Sequence, residues 1–149
     1  MPAPSDQDLT RREEISVSGA AMSEAPLGAA AVTGAVVAVA DLGLHVVGGG
    51  LGIAALSGSV AAGASVFLIV AAAGAMWRAR GSRAARWARS NPWRFAVLPA
   101  LAAVVIALVL TTVTGGGVFH GIMSGLWHGG AVYGITGAIG TVSKSRKKP

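Results

Sequence analysis

The sequence has no cysteine. Disulfides, thiol nucleophiles and cysteine metal sites are therefore excluded. Charge is scarce as well. Charged residues make up 12% of the 149, against about 25% in a soluble domain of ordinary composition. Between Asp41 and Arg78 there is no Asp, Glu, Lys or Arg, and from Phe95 to Ser143 there is again none. That is too little charge to clothe a water-soluble surface. Two motif absences narrow the chemistry. No G-x-x-x-x-G-K-[ST] loop is present to cradle a phosphate, and no G-x-S-x-G elbow to present a nucleophilic serine.

What is present is apolar. The composition is 53% hydrophobic and the mean hydropathy is +0.64. A bilayer hydrocarbon layer of about 30 Å needs roughly 20 apolar residues as helix. The first uncharged run, counted from about Pro26, has room for two such helices, and so does the second. The expectation is an all-α polytopic membrane protein with four transmembrane helices arranged as two helical hairpins. Its parts are a disordered N-terminal tail at 1–25, a first hairpin at 26–76, a basic loop at 77–94, a second hairpin at 95–142 and a basic tail at 143–149.

Local signals set those boundaries. The first 25 residues hold five acids and two arginines. Such a polar segment reads as a tail, with at most a helical turn around Leu9 to Ile15. Its acidic start does not fit a secretory signal. Pro26 opens a helix at no cost, since its missing N–H is unused there. Gly48, Gly49 and Gly50 make a turn, and Thr114 to Gly117 make another. Asn91-Pro92 reads as N-cap and first helical position. Pro99 should kink the third helix or mark its start. That helix, rich in Val, Ile and Leu, reads as the most lipid-facing.

The segment 77–95 carries six arginines and no acid, and the chain ends in SKSRKKP. Both belong on the cytoplasmic side of a cell membrane under the positive-inside rule, which puts both termini inside. Arg78, Arg80, Arg83, Arg86, Arg89 and Arg94 are expected to meet anionic lipid head groups, with Trp77, Trp87 and Trp93 at interface depth. At three-residue spacing the arginines drift around a helix, so the loop reads as broadly cationic rather than amphipathic. Nucleic acid is a secondary partner class. The Ala, Gly, Val and Arg bias suits a bacterial source.

The glycines are the next signal. Gly117, Gly121, Gly125 and Gly129 recur every fourth residue and share one helix face. Gly130 and Gly134 continue the spacing after a slip. In lipid a helix keeps its shape despite glycine, because open backbone amides would be unpaired. Such a row admits another helix backbone closely. Gly50 and Gly58 form a softer row on the second helix, and Gly34 one on the first. The partner is either another helix of the chain or a second copy in a homo-oligomer. A shift of 67 residues aligns Gly48–Gly50 with Gly115–Gly117 and Ser57-Gly58 with Ser124-Gly125, which suggests an internal repeat.

Polar residues inside the apolar runs are costly and point to function. Asp41 and His45 share a face of the first helix. His120, Ser124 and His128 share a face of the fourth. They read as an interhelical hydrogen-bond cluster, with Asp41 bonded to a histidine or to Thr111 or Thr112. The alternatives are a proton-coupled site or a site for a Zn²⁺-type ion held by Asp41, His45, His120 and His128. A Ser124, His128, Asp41 triad lacks its elbow motif. The functional expectation is a non-enzymatic, cofactor-free membrane protein that self-associates. It would act as a small pore or channel, or as an accessory subunit of a larger membrane machine, with phage-type permeabilisation or plasmid transfer as settings. The alternative is a proton or transition-metal ion transporter.

Overall fold

The computed structural model describes residues 9–78 and 82–145. Arg80 and the last four residues of the SKSRKKP tail lie outside them, as does the side chain of Arg78. The described residues are all-helical. In chain order they form α1 (Arg11–Ser23), α2 (Leu27–Val47), α3 (Ile53–Arg78), α4 (Arg83–Ser90), α5 (Pro92–Thr111) and α6 (Gly117–Ser145). A five-residue π-helical turn, Thr112–Gly116, joins the last two. Three stretches are long and apolar enough to cross a membrane: Leu27–Val47, Ile53–Trp77 and Pro92–Ser143. The third contains both α5 and α6, which fold back on each other.

Helix boundaries follow from local chemistry. α2 ends in a full Schellman motif. The Gly50 N–H donates to the His45 carbonyl at 3.0 Å and the Gly49 N–H to that of Val46 at 3.1 Å. Gly49 sits between them at φ 77°, where a side chain would be strained. Gly115 and Gly117, at φ 90° and 75°, reverse the chain between α5 and α6. α4 starts where the Ser82 hydroxyl accepts the Ala85 N–H at 3.1 Å. α5 starts at Pro92 and runs through Pro99 without interruption.

Close backbone approach defines both helix pairs. α2 and α3 are antiparallel. A Cβ on Gly34 would lie 2.7 Å from the Gly63 carbonyl oxygen, and one on Gly63 would lie 2.6 Å from that of Gly34. The two glycines therefore face each other's backbone. α5 and α6 repeat the arrangement with other residues. Gly121 meets the Leu108 carbonyl, Gly125 that of Val104, and Gly129 that of Ala100. The 67-residue shift does not superpose these contacts. It carries Gly34 to Leu101, which is exposed, and Gly63 to Gly130, which faces open space.

α3 lies centrally, touching α2 on one side and α5 and α6 on the other, whereas among the described helices α2 touches α3 alone. The most lipid-facing helix is therefore α2 and not the third long helix. On α2 only Ala30 and Gly34 are buried, while α5 buries Ala96, Pro99, Ala100, Ala103 and Ala107. Val, Ile and Leu on α5 pointed to lipid by residue type, but its alanines supply a second, inward stripe.

The N-terminal region departs furthest from expectation. Residues 11–23 are not a disordered tail but helix α1, docked across the ends of α3, α4 and α5. Its Ala21 is fully buried in a cluster with Ala72, Ala75, Met76, Trp87, Ala88 and Phe95. The start of α1 is held by Glu13, whose carboxylate accepts from the Thr10 hydroxyl at 2.7 Å and the Thr10 N–H at 2.8 Å. α4 is likewise amphipathic, contrary to the arginine spacing taken alone. Its Ala85, Trp87 and Ala88 are buried while Arg83 and Arg86 are exposed.

Two outcomes test this packing. Gly34→Ala or Gly63→Ala should lower the stability of the detergent-solubilised protein by about 1–3 kcal/mol, as overpacking does. Gly58→Ala, with open space around it, should not. Equal responses in thermal or SDS unfolding would remove close approach as the cause. The two bonds from Thr10 hold the Glu13 pKa below its ordinary 4.5. A depressed carboxylate stabilises the helix start fully above its ordinary value and loses that contribution as pH falls through the lowered one. NMR shifts of residues 11–14 should therefore stay helical at pH 5 and move toward coil well below 4.5. Glu13→Gln should flatten that transition, and an identical transition in the variant would count against it.

Candidate functional site: polar groups on the apolar helices

Asp41 lies six residues before the end of α2, about 9 Å from it at 1.5 Å per residue. Its carboxylate Oδ2 accepts the Ser59 hydroxyl of α3 at 2.7 Å. The His45 ring stands one turn further on, with Nδ1 3.5 Å from the same oxygen and 2.9 Å from Asp41's own carbonyl. A carbonyl only accepts, so His45 carries a proton on Nδ1. Its Nε2 is left for another partner. Ser59 is buried, whereas Asp41 and His45 are 35% and 44% exposed. The ionisable side of this group thus faces outward from the bundle.

The second polar group lies on α6. His128 Nδ1 is 2.8 Å from the Ser124 carbonyl and 3.5 Å from the Ser124 hydroxyl. The same logic places its proton on Nδ1. His120, two turns earlier on the same side, is exposed. These two groups do not meet. α2, which carries Asp41 and His45, does not touch α6. Asp41 bonds to His45 and Ser59 and not to Thr111 or Thr112. Among the described residues no three His, Cys, Asp or Glu side chains lie together as a metal site would require. The alternative reading of an ion site from Asp41, His45, His120 and His128 is therefore not assembled within one chain. The helix order explains why: α3 stands between the two hairpins' outer arms.

The glycine rows divide in a similar way. Gly34, Gly121, Gly125 and Gly129 stand against a neighbouring helix of the same chain. Gly50, Gly58 and Gly117 do not. Gly50 lies in the turn against its own helix's His45 carbonyl, Gly58 faces open space, and Gly117 makes the bend into α6. Gly130 and Gly134 also face open space, on the side of α6 away from α5. A shallow apolar groove of ≈ 330 Å³ runs along α2 and α3, lined by Ala35, Ala38, Val60 and Phe67 among others.

The basic region is also rearranged. Trp87 is 1% exposed and belongs to the core, not to an interface belt. Its indole N–H has no acceptor among the described residues, a deficit worth about 1–3 kcal/mol when buried. Trp77 is exposed and donates to the Ser143 hydroxyl at 3.0 Å. Trp93 is half-exposed and packs against Tyr133 with ring centroids 5.3 Å apart. Arg94 pairs with Glu14 at 2.7 Å, so at least one loop arginine is engaged by the N-terminal helix.

Two features escaped the sequence. Ser59 carried a legible signal, since it mirrors Asp41 through Gly50 in an antiparallel hairpin. The docking of α1 also had one, in Thr10-x-x-Glu13 followed by Val17 and Ala21 at helical spacing. The Ser59–Asp41 bond gives a measurable expectation. Hydrogen bonds between membrane helices average about 0.6 kcal/mol. A double-mutant cycle of Ser59→Ala with Asp41→Ala should show coupling of about that size. Ser57→Ala, whose hydroxyl bonds only its own helix at Ala54, should show none with Asp41. Zero coupling for Ser59 would sink the pairing. Compared with protein-family models, curated proteins and solved structures, the chain matches none, so a functional assignment rests on these residues alone.

Proposed function

We propose that this chain is a non-enzymatic, multi-pass protein of the cell membrane that assembles with copies of itself as an accessory subunit of a larger membrane complex. Counting both arms of the 92–143 stretch gives four spans. With α1, α4 and the end of α6 on one side of the bundle, and the arginines of 83–94 in that region, the positive-inside rule puts that end and both termini in the cytoplasm.

One observation carries the self-association. On α6 the residues His120, Ser124, Trp127, Ala131, Gly134 and Ala138 follow the 4-3 spacing of a helix-pairing seam. All are exposed or half-exposed, and Trp127 is 74% exposed. The seam mixes small residues, which admit a second backbone, with imidazole and hydroxyl groups that lipid cannot satisfy. Histidine and serine each donate and accept, so the same surface on a second copy complements it across a two-fold axis. The Gly121, Gly125 and Gly129 row is already occupied by α5, which moves the self-association to this outer face.

A pore is the weaker form of the proposal. Two polar residues on the seam are too few to line a water path. A proton or transition-metal ion transporter would need His45 and His120 or His128 to converge between copies, not within one.

The test compares faces. Ala131→Leu with Gly134→Leu should abolish oligomers in membrane crosslinking and native electrophoresis while leaving the monomer's helix content intact. Gly121→Leu should instead disrupt the monomer, because its side chain would meet α5. Oligomers that persist in the Ala131/Gly134 variant would refute the outer-face assembly.

A further inference from the structure

α4 has the form of a membrane-surface helix, with Ala85, Trp87 and Ala88 on one side and exposed Arg83 and Arg86 on the other. Its apolar side is nevertheless covered by the chain itself. Trp87 and Ala88 lie in the cluster that contains Ala21 of α1, with Val17 and Met22 packed around it. α1 also presents acids to this basic region. Glu14 pairs with Arg94 at 2.7 Å. Glu24 accepts from Ser82, the N-cap of α4, at 3.0 Å. Glu13 stands near enough to Arg83 to feel its charge.

In the covered state the Trp87 indole N–H is buried with no acceptor among the described residues. At a membrane surface a tryptophan keeps its ring in the apolar zone and finds head-group oxygens for its N–H. α4 is tied to α3 by residues 79–82 and to α5 through Asn91 alone. These short connections keep α4 beside the ends of α3 and α5, so in the membrane placement proposed above lipid head groups are the anions nearest to it.

We propose that α1 is an acidic latch that holds α4 off the membrane surface, and that anionic phospholipid head groups compete with α1 for α4, freeing α1 and seating Trp87 in the interface. The proposal rests on the membrane placement given above and goes beyond it. It makes the N-terminal helix an internal mimic of the lipid anion, so the cationic surface is graded by membrane composition rather than permanently displayed.

The test uses the full chain with Trp87 as its sole tryptophan (Trp77→Phe, Trp93→Phe, Trp127→Phe), reconstituted in vesicles with brominated acyl chains. Quenching of Trp87 should be several-fold greater when phosphatidylglycerol is mixed into phosphatidylcholine than in phosphatidylcholine alone. Glu14→Lys with Glu24→Lys should raise quenching at lower phosphatidylglycerol content. The chain has no cysteine, so Glu14→Cys with Arg94→Cys can be bridged selectively by a short bis-maleimide, and the bridge should hold quenching at its neutral-vesicle level. With all four tryptophans retained, the yield of that same bridge should fall in anionic vesicles. Quenching and bridging that ignore vesicle composition overturn the latch. A charge-reversed chain that gains affinity for a duplex DNA probe without a change in quenching overturns lipid as the competitor. Retention of the chain after alkaline carbonate washing is read in parallel. Its loss defeats the membrane placement, whereas an embedded chain with invariant Trp87 quenching defeats the latch alone.

Discussion

In the membrane placement proposed above, the architecture depends on one constraint: helix backbones must come together without help from water. Lipid tails are as apolar as leucine, so helices in a bilayer gain little by burying large apolar side chains against each other. What remains is contact at close range. Gly34 and Gly63 face each other's carbonyl oxygens, and Gly121, Gly125 and Gly129 lie against those of Leu108, Val104 and Ala100. Once these glycines are seated, the register of each pair is fixed. Ser59 then falls opposite Asp41, and Trp93 beside Gly137 and Tyr133. The polar contacts follow from the glycine contacts, because a one-turn slip would break them all.

The same constraint governs the polar groups. Neither His45 nor His128 is bonded to another helix by its Nδ1. Each spends that proton on the carbonyl one turn before it, Asp41 and Ser124 respectively. This satisfies one nitrogen of each ring inside its own helix. The Asp41 carboxylate is met by Ser59 across the hairpin and by the His45 ring on its own helix. A monomer built this way is complete in its backbone contacts and incomplete in its polar ones. Such incompleteness, in an apolar setting, is what the proposed second copy would complement.

Sequence made the long helices and their turns legible because lipid imposes a simple rule, an uncharged run of fixed length closed by glycine or proline. Gly48–Gly50, Asn91-Pro92 and Thr114–Gly117 obey it closely. It was blind where contacts are made by unremarkable residues. Ala21, Ala72, Ala75 and Ala88 build the cluster around Trp87, yet alanine carries no burial signal of its own. An acidic, aromatic-free segment such as 9–25 therefore looked unable to bury anything. Trp87 was misplaced for the opposite reason, since tryptophan beside arginine reads as an interface anchor whatever lies over it. The polar residues themselves were found. Their separation into two groups was not, because face analysis of one helix says nothing about which helix stands between two others.

Helix length accounts for the covered end. At 1.5 Å per residue, α2 with 21 residues and α5 with 20 are about 30 Å long, the thickness of a bilayer's hydrocarbon layer. α3 with 26 and α6 with 29 residues are longer, at about 39 and 44 Å. The glycine turns tie all four helices together at the other end, so the excess emerges at the end where α1 and α4 lie. Ala72, Ala75 and Met76 of α3 and Ile139 of α6 belong to that excess and are apolar. Left alone they would face water and head groups. α1 and α4 fold over them, and the acid–arginine contacts of Glu14 and Arg94 lie at the rim of that cover. The cap is thus required by the overhang of two helices. Its two pieces are held differently: α4 is joined within a few residues to a long helix on each side, while α1 leads into α2 through residues 24–26 and meets the overhang through Ala21. Of the two, α1 is the piece that brings an acid to the rim, in the Glu14–Arg94 pair.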